Sequence, residues 1–214
     1  MVSWATIAFL MKAEVPLTSL STGHIAVDID GFAMDNSGTK KECVSRTYRN
    51  FDGYLAMPVY LTNEGWLIEC PLLPGSRHPR KAFNPLLQRA LAKIRQISKD
   101  KLLLRADSAH DAVANRVELS RHDDVDYIIK WNPRKQDPEA WKTQAFSKGT
   151  VETPRPGKRV AIFSVLERHS ATGENGKEKE LAFRRVMRVR SAPLTRRDSS
   201  CFFPRSNLRG GGQA

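Results

Sequence analysis

Residues 24–54 read HIAVDIDGFAMDNSGTKKECVSRTYRNFDGY, and they predict an apolar β-strand that ends in two aspartates. The isoleucines and the valine of this strand occupy alternate positions, so they face one side of it. Asp28 and Asp30 therefore share the opposite side, where carboxylates can hold a metal ion. An alternative is a buried strand whose aspartates only cap its end.

A basic loop follows the strand directly. Tyr48 and Phe51 stand among its cations, which are Lys40, Lys41, Arg46 and Arg49. Positive charge interleaved with aromatic rings suits a surface that meets a phosphate backbone beside a hard-cation site. A charge run that is merely solvated is the alternative interpretation of the same residues.

The composition points to nucleic acid as a partner. The chain has 35 Lys and Arg against 23 Asp and Glu, and its pI is about 9.9, an excess that favours polyanions over small metabolites. Its three cysteines have no CxxC spacing, which supports neither a disulfide framework nor a zinc site and makes a reducing cytoplasm the simplest location. The apolar opening MVSWATIAFLM is shorter than the ~20 residues that span a bilayer, so no membrane association is expected.

The remaining periodicity predicts an α/β chain with the order β-β-β-α-β-α-β. After the first strand, the pattern predicts a hairpin of Tyr54–Leu61 and Gly65–Leu72, a helix from Asn84-Pro85 to near Ser98, a strand at Leu102–Leu104, a helix capped by Asp111 that ends near Ser120, and a strand at Tyr127–Trp131. Pro58 favours an edge or a bulge within the first hairpin strand. From Asn132 to Gly157 the composition is that of an exposed linker. Lys158–Glu167 and Glu180–Arg190 then alternate like the strands of a β-hairpin.

Four segments together resemble a known family. DIDGFAMDNSGTKKECVSRTYRNFDGY, GSRHPRKAFNPLLQRAL, LLLRADSAHDA and DYIIKWN are similar to the DDE transposases of bacterial insertion sequences, in the branch called group 1, over roughly Ile25 to Arg190. The resemblance implies an RNase H-like mixed sheet, with an antiparallel three-strand meander, further strands with helices, and a β-hairpin insertion. The implied divisions are a remnant of an N-terminal helical region (1–23), a partial catalytic core (24–132), a linker (133–157), the hairpin insertion (158–190) and a disordered tail (191–214).

The resemblance also implies a chemistry, which is DNA transposition by metal-dependent strand cleavage and transfer. In this family three carboxylates hold two divalent ions, usually Mg²⁺, which activate water or a DNA 3′-hydroxyl. Asp30, with Asp28 as its neighbour, corresponds to the first carboxylate and Asp107 to the second. The implied partner is DNA at the transposon ends, and intact members can act as homodimers.

Three further residues of the RADSAHD segment, Arg105, Ser108 and His110, are implied to lie near the metal centre. Asp111 is assigned to a helix cap. From its position alone, the commoner role for Asp107 is to cap the helix that follows its strand.

The third family carboxylate, a glutamate on a helix after the hairpin, has no counterpart in the sequence. No helical pattern follows Arg190, so the expectation is an inactive fragment that is truncated at both ends. A reading frame shifted by one base permits the tail to encode DKKGQLLLLPEIELEGWWTS, which suggests a frameshift just after Arg190. A native, disordered basic tail is the alternative.

Two other functions are compatible with the sequence. The string from Asp28 to Gly31 resembles the DxDG opening of haloacid-dehalogenase-like phosphohydrolases, in which the first aspartate is a nucleophile and the second a general acid and base. Such enzymes have a doubly wound parallel sheet. The other candidate is a non-catalytic DNA-binding remnant, which metal-dependent DNA cleavage would distinguish from a transposase.

Overall fold

A computed structural model describes residues 4–134, 136–172, 178–190 and 201–202. The chain divides into two compact units, residues 1–126 and 127–214. The helices and strands form a mixed α/β arrangement that contains several sheets. None of the helices in the described ranges is both long enough and apolar enough to cross a bilayer.

The main sheet has five strands in the order β6-β5-β1-β8-β9, and β9 spans the boundary between the two units. Its strands are β1 (Ile25–Ile29), β5 (Val59–Leu61), β6 (Trp66–Glu69), β8 (Leu102–Ala106) and β9 (Val125–Ile129). β5 is antiparallel to both β1 and β6, whereas β1 and β8 are parallel. The two parallel strands therefore end at the same edge of the sheet.

A second, smaller sheet takes up part of one predicted strand. Tyr54–Leu61 was predicted as a single strand, but the strand is interrupted at Pro58, which has no N–H to donate. The part before the break joins a sheet formed by β2 (Phe32–Asp35), β4 (Asp52–Ala56), β3 (Ser45–Arg46) and β7 (Leu72–Pro74), and the part after it is β5 of the main sheet. Likewise, Gly65–Leu72 contributes β6 and only the first residue of β7.

Helix α2 (Pro79–Ile97) begins earlier than predicted. His78 is the N-cap, and its Nδ1 accepts a hydrogen bond from the Arg80 N–H. Pro79 occupies the first helical position, where its missing N–H costs nothing. Pro85, which was expected to start the helix, lies inside it. The buried face is apolar and supplies much of the core: Ala82, Phe83, Leu86, Leu87, Ala90 and Ile94.

The segment after β8 also differs from the prediction. A 3₁₀ turn (Ser108–His110) precedes α3 (Val113–Leu119), whose N-cap is Ala112 and not Asp111. The Asp111 carboxylate forms a buried ion pair with Arg116 instead. A buried guanidinium requires such a counter-charge. The Asp111 carboxylate, which the sequence assigned to the helix cap, is therefore engaged by a side chain of α3.

The remaining elements are α1 (Trp4–Lys12) in the first unit and those of the second unit. The latter are α4 (Pro138–Lys148), β10 (Thr150–Arg155), β11 (Lys158–Thr172), β12 (Glu178–Arg190) and β13 (Cys201–Phe202), with the four strands in one sheet in that order. The predicted linker 133–157 thus contains a helix, which Asp137 caps by accepting a bond from the Glu139 N–H.

The core of the second unit is formed by Trp131, Ala145, Ala161, Phe163 and Met187. Arg185 is buried beside it, with its guanidinium 4.6 Å from the Trp131 ring centroid. Of the tail 191–214, only Cys201–Phe202 are described, so its predicted disorder and frameshift lie outside the described residues.

Candidate active site at the ends of β1 and β8

The parallel register of β1 and β8 brings the two predicted catalytic aspartates to the same level of neighbouring strands. Five residue pairs are in register, and the last of them is Ile29 with Ala106. Asp30 and Asp107 each follow directly after this pair. They are therefore juxtaposed at the strand ends, and the chain turns from Asp30 into β2 of the second sheet.

Both aspartates are exposed and make local hydrogen bonds. Asp30 Oδ1 accepts a bond of 2.7 Å from the Gly31 N–H. Asp107 Oδ1 accepts one of 3.0 Å from the Ala109 N–H, so Asp107 does cap the 3₁₀ turn. The Asp107 side chain is nevertheless 48% exposed. Because a carboxylate has about four lone-pair sites, the cap leaves room for another ligand.

His110 is fully buried beside this pair. Its Nε2 lies 3.7 Å from Asp107 Oδ1, and neither ring nitrogen has a hydrogen-bond partner among the described residues. Its ring centroid is 5.2 Å from that of Phe83. Burial lowers the pKa of His110, whereas the charges of Asp107 and Asp30 act in the opposite direction. Burial is the larger influence, so the net effect is a lowered pKa of the His110 imidazole.

Asp28 has a different environment from Asp30. It is the register partner of Arg105 on β8, whose Nε and Nη2 donate bonds of 2.6 and 2.5 Å to Asp28 Oδ1 and Oδ2. The hydrogen bond to Asp28 raises the pKa of Arg105. The predicted metal-ligand neighbour thus has both oxygens engaged by a guanidinium. The sequence placed Arg105 near the site but gave no sign of this pairing, which depends on the register of two distant strands.

A cleft of about 460 Å³ opens beside Asp107. Its wall combines residues from the basic loop, from the loop before α2 and from the 3₁₀ turn, among them Gly31, Arg46, Tyr48, Arg77, His78 and His110. Arg77 and His78 were not predicted as site residues, although both lie in the GSRHPRK segment that contributes to the family resemblance. Gly75 also lines the cleft, and a Cβ there would lie 2.3 Å from the Ser45 carbonyl oxygen, so a side chain would force this wall apart.

The four predicted DNA-contacting cations differ in their placement. Arg46 lines the cleft, and Arg49 lies 5.8 Å from the ring centroid of Tyr48. Lys40 and Lys41 are exposed in the loop between β2 and β3. The cleft wall is thus cationic and aromatic on the side formed by the basic loop.

A divalent ion such as Mg²⁺ is bound by several oxygen ligands. Asp30 and Asp107 supply carboxylate oxygens, which suit a hard cation such as Mg²⁺. Within the described ranges, no group of three or more His, Cys, Asp or Glu side chains could hold a metal ion. Glu167 of the hairpin is paired with Arg185 at 2.8 Å. Within the described residues, the two aspartates are therefore carboxylate donors without a third to complete a group.

Comparisons with known proteins give a likeness in fold only. No family model matches the chain, and no curated protein matches it in sequence. A solved structure that matches is the piggyBac transposase synaptic complex with hairpin DNA, at 8% identity and a TM-score of 0.50. The match covers 94% of this chain and 36% of that one, so this chain spans about a third of its neighbour's length. The chain thus shares a fold with a transposase.

Proposed function

We propose that this chain belongs to a DDE-type DNA transposase and contributes two carboxylates of its metal site. The observation that carries this proposal is the register of β1 and β8, which sets Asp30 and Asp107 side by side at one sheet edge. A two-metal site needs shared carboxylates at such a position, because its ions are ~3.5–4 Å apart. The finer assignment, to group 1 of the bacterial insertion sequences, rests on the sequence resemblance.

The order of the main sheet supports an RNase H-like core. An antiparallel β6-β5-β1 meander continues through a parallel β1-β8 pair to β9. A haloacid-dehalogenase-like enzyme would need a doubly wound parallel sheet and a free Asp28 as nucleophile. Here the first strand pairs with antiparallel β5, and Asp28 is held by Arg105. Both observations disfavour the phosphohydrolase.

In the proposed reaction the residues of this chain bind and orient. Asp30 and Asp107 would hold a divalent ion, which would polarise a phosphodiester and activate the attacking hydroxyl. Arg46 and Arg77 in the cleft wall would attract the DNA backbone toward the carboxylates. The buried His110 ring, 3.7 Å from Asp107 Oδ1, would keep water from the inner side of that carboxylate.

A second candidate function is DNA binding without catalysis. It is favoured by the metal-donor count, since the described part of the chain brings no third carboxylate to the pair. Such a protein would retain the basic cleft and its affinity for DNA. It would bind divalent ions weakly or not at all.

Manganese binding followed by titration calorimetry tests the proposed site. Asp30→Asn and Asp107→Asn should each weaken Mn²⁺ binding by about tenfold or more, because a ligating carboxylate is removed. Asp123→Asn is the matched control, since this exposed aspartate lies in the turn before β9, and it should leave binding unchanged. Equal Mn²⁺ affinity in all four proteins would remove the metal site and leave the DNA-binding function.

A further inference from the structure

We propose that Arg105 binds a backbone phosphate of the DNA and that Asp28 is its positioning partner rather than a metal ligand. This inference rests on the proposed function, because it places the phosphate next to Asp30 and Asp107. It gives the two residues separate roles in one site. Asp28 fixes the guanidinium, and Arg105 presents it to the substrate.

The ion pair leaves one side of the guanidinium available. A guanidinium carries five N–H donors in a planar fork. Asp28 receives one from Nε and one from Nη2, so two on Nη1 and one on Nη2 are not used by this carboxylate. The Arg105 side chain is 40% exposed and that of Asp28 is 38% exposed. The pair is thus accessible from solvent, and its outer edge matches the geometry of a phosphate.

The position of Arg105 on β8 directs it to the same substrate as the aspartates. Arg105 lies on β8 and Asp107 follows the end of the strand, two residues later, a spacing at which extended residues face the same side about 6.6 Å apart. In the neighbouring strand, Asp28 precedes Asp30 by the same interval. Across the two strands, Arg105 and Asp28 therefore form a first row, and Asp107 and Asp30 form a second row two residues nearer the sheet edge. A phosphate near the second row is within reach of the first.

The orientation of the pair distinguishes positioning from simple neutralisation. A bidentate contact holds the planar guanidinium in one orientation, so less side-chain entropy is lost when a phosphate binds its other edge. If Asp28 only neutralised Arg105, its removal would release a free cation and strengthen DNA binding. If Asp28 were a metal ligand, its removal would weaken metal binding. The three roles predict three different results.

The test measures affinity for a short DNA duplex at several salt concentrations, with EDTA present so that metal does not contribute. Arg105→Gln should weaken binding about tenfold, as expected when a charged hydrogen bond is removed, and should reduce the salt slope by about 0.9. Asp28→Asn should also weaken binding, by about threefold or more on the same scale, although it removes a negative charge. Its Mn²⁺ affinity should equal that of the unmodified protein.

Two controls are matched to these variants. Arg121 pairs with Glu118 at 2.8 Å and is also 40% exposed, so Arg121→Gln removes a comparable pair and should leave DNA affinity unchanged. Asp123→Asn removes an exposed carboxylate and should leave affinity the same or slightly higher. Arg105→Lys keeps the charge but loses the fork, so it should weaken binding with an unchanged salt slope. This variant also serves as the test if Arg105→Gln proves unfolded by circular dichroism.

Three outcomes would overturn the inference. They are tighter DNA binding by Asp28→Asn, unchanged DNA binding by both Arg105 variants, and weakened Mn²⁺ binding by Asp28→Asn. Failure of the proposed function is detected by a separate measurement, which is an unchanged Mn²⁺ affinity in Asp30→Asn and Asp107→Asn. The metal-free DNA measurement does not depend on that result.

Discussion

Asp30 and Asp107 lie one residue beyond the last registered pair of two parallel strands, at a single edge of the main sheet. Parallel pairing is what allows two strand-end carboxylates to meet, since antiparallel neighbours would put them at opposite edges. The four-residue pattern at this edge, an Arg105–Asp28 pair followed by two aspartates, gives the candidate site both a cation and carboxylates.

The chain should bind duplex DNA weakly and without sequence preference, because the residues expected to bind it meet the phosphate backbone. Replacing Lys40, Lys41, Arg46 and Arg49 with Gln should lower affinity and reduce the salt slope by about 0.9 for each phosphate that is no longer neutralised. Arg184 and Arg188, which are exposed on β12, are expected to add to this binding. The measurement is fluorescence anisotropy at several salt concentrations.

The control for this prediction is the double variant of Lys99 and Lys101 to Gln. These exposed lysines flank the opposite end of β8, so the same kind of charge is removed away from the site. Its affinity should change less than that of the double variant of Lys40 and Lys41 to Gln, which removes the same number of charges. Identical DNA affinity at low and high salt would contradict the electrostatic basis of the prediction.

The purified chain should neither nick nor join transposon-end DNA with Mg²⁺ or Mn²⁺. Two carboxylates hold a two-ion centre incompletely, and loss of one member of a catalytic unit removes most of its rate. Gel analysis of labelled end DNA provides the measurement. Robust metal-dependent cleavage that disappears in Asp107→Ala would show that a further carboxylate of this chain completes the site, with Glu167 and Glu180 of the hairpin as the residues to replace next.

Core packing under the site should be sensitive to a decrease in side-chain volume on α2. Leu86 is fully buried, so Leu86→Ala should lower the free energy of unfolding by about 2–5 kcal/mol. Leu72 is 54% exposed, and Leu72→Ala should change the free energy of unfolding by no more than about 0.5 kcal/mol. Urea denaturation measures both free energies, and the two variants share the same Leu-to-Ala substitution. Equal destabilisation would place the core elsewhere.

Glu64 should titrate well below an ordinary glutamate. The hydroxyls of Thr18 and Thr62 lower its pKa from 4.5 to about 2, with Thr18 as the larger cause. A folded-state pKa below the unfolded one adds stability above pH 4.5 that is lost as the pH falls toward about 2. The Tm difference between Glu64→Gln and the unmodified protein should therefore shrink over this range.

An NMR titration of the Glu64 carboxyl checks its pKa directly. Thr18→Val removes the main hydroxyl donor, so it should move this pKa upward toward 4.5. An unchanged pKa in Thr18→Val would show that this hydrogen bond does not hold the Glu64 carboxylate. The exposed position of Glu64 makes the effect on stability small.

Only some of the elements could be bounded from the sequence. The helical period after Pro85 identified the apolar face of α2 and its end near Ser98, but the true start at Pro79 depends on a cap by the His78 ring. Pro58 signalled an irregular strand, yet the two halves of that strand joined different sheets. Asp111 had the sequence position of a cap, but its carboxylate forms an ion pair with the buried Arg116. Each difference arises where a partner outside the local segment competes with the local pattern.

By itself, the sequence determined the strand that contains Asp28 and is followed by Asp30, the basic loop after it and the position of Asp107 at a strand end. These follow from side-chain periodicity and from backbone preferences over a few residues. Only the tertiary structure decided that Asp28 pairs with Arg105, that Asp30 stands beside Asp107 and that Arg77 and His78 complete the cleft. Strand register is set by packing across the whole sheet, and a shift of one residue would turn every side chain of the shifted strand to the other face.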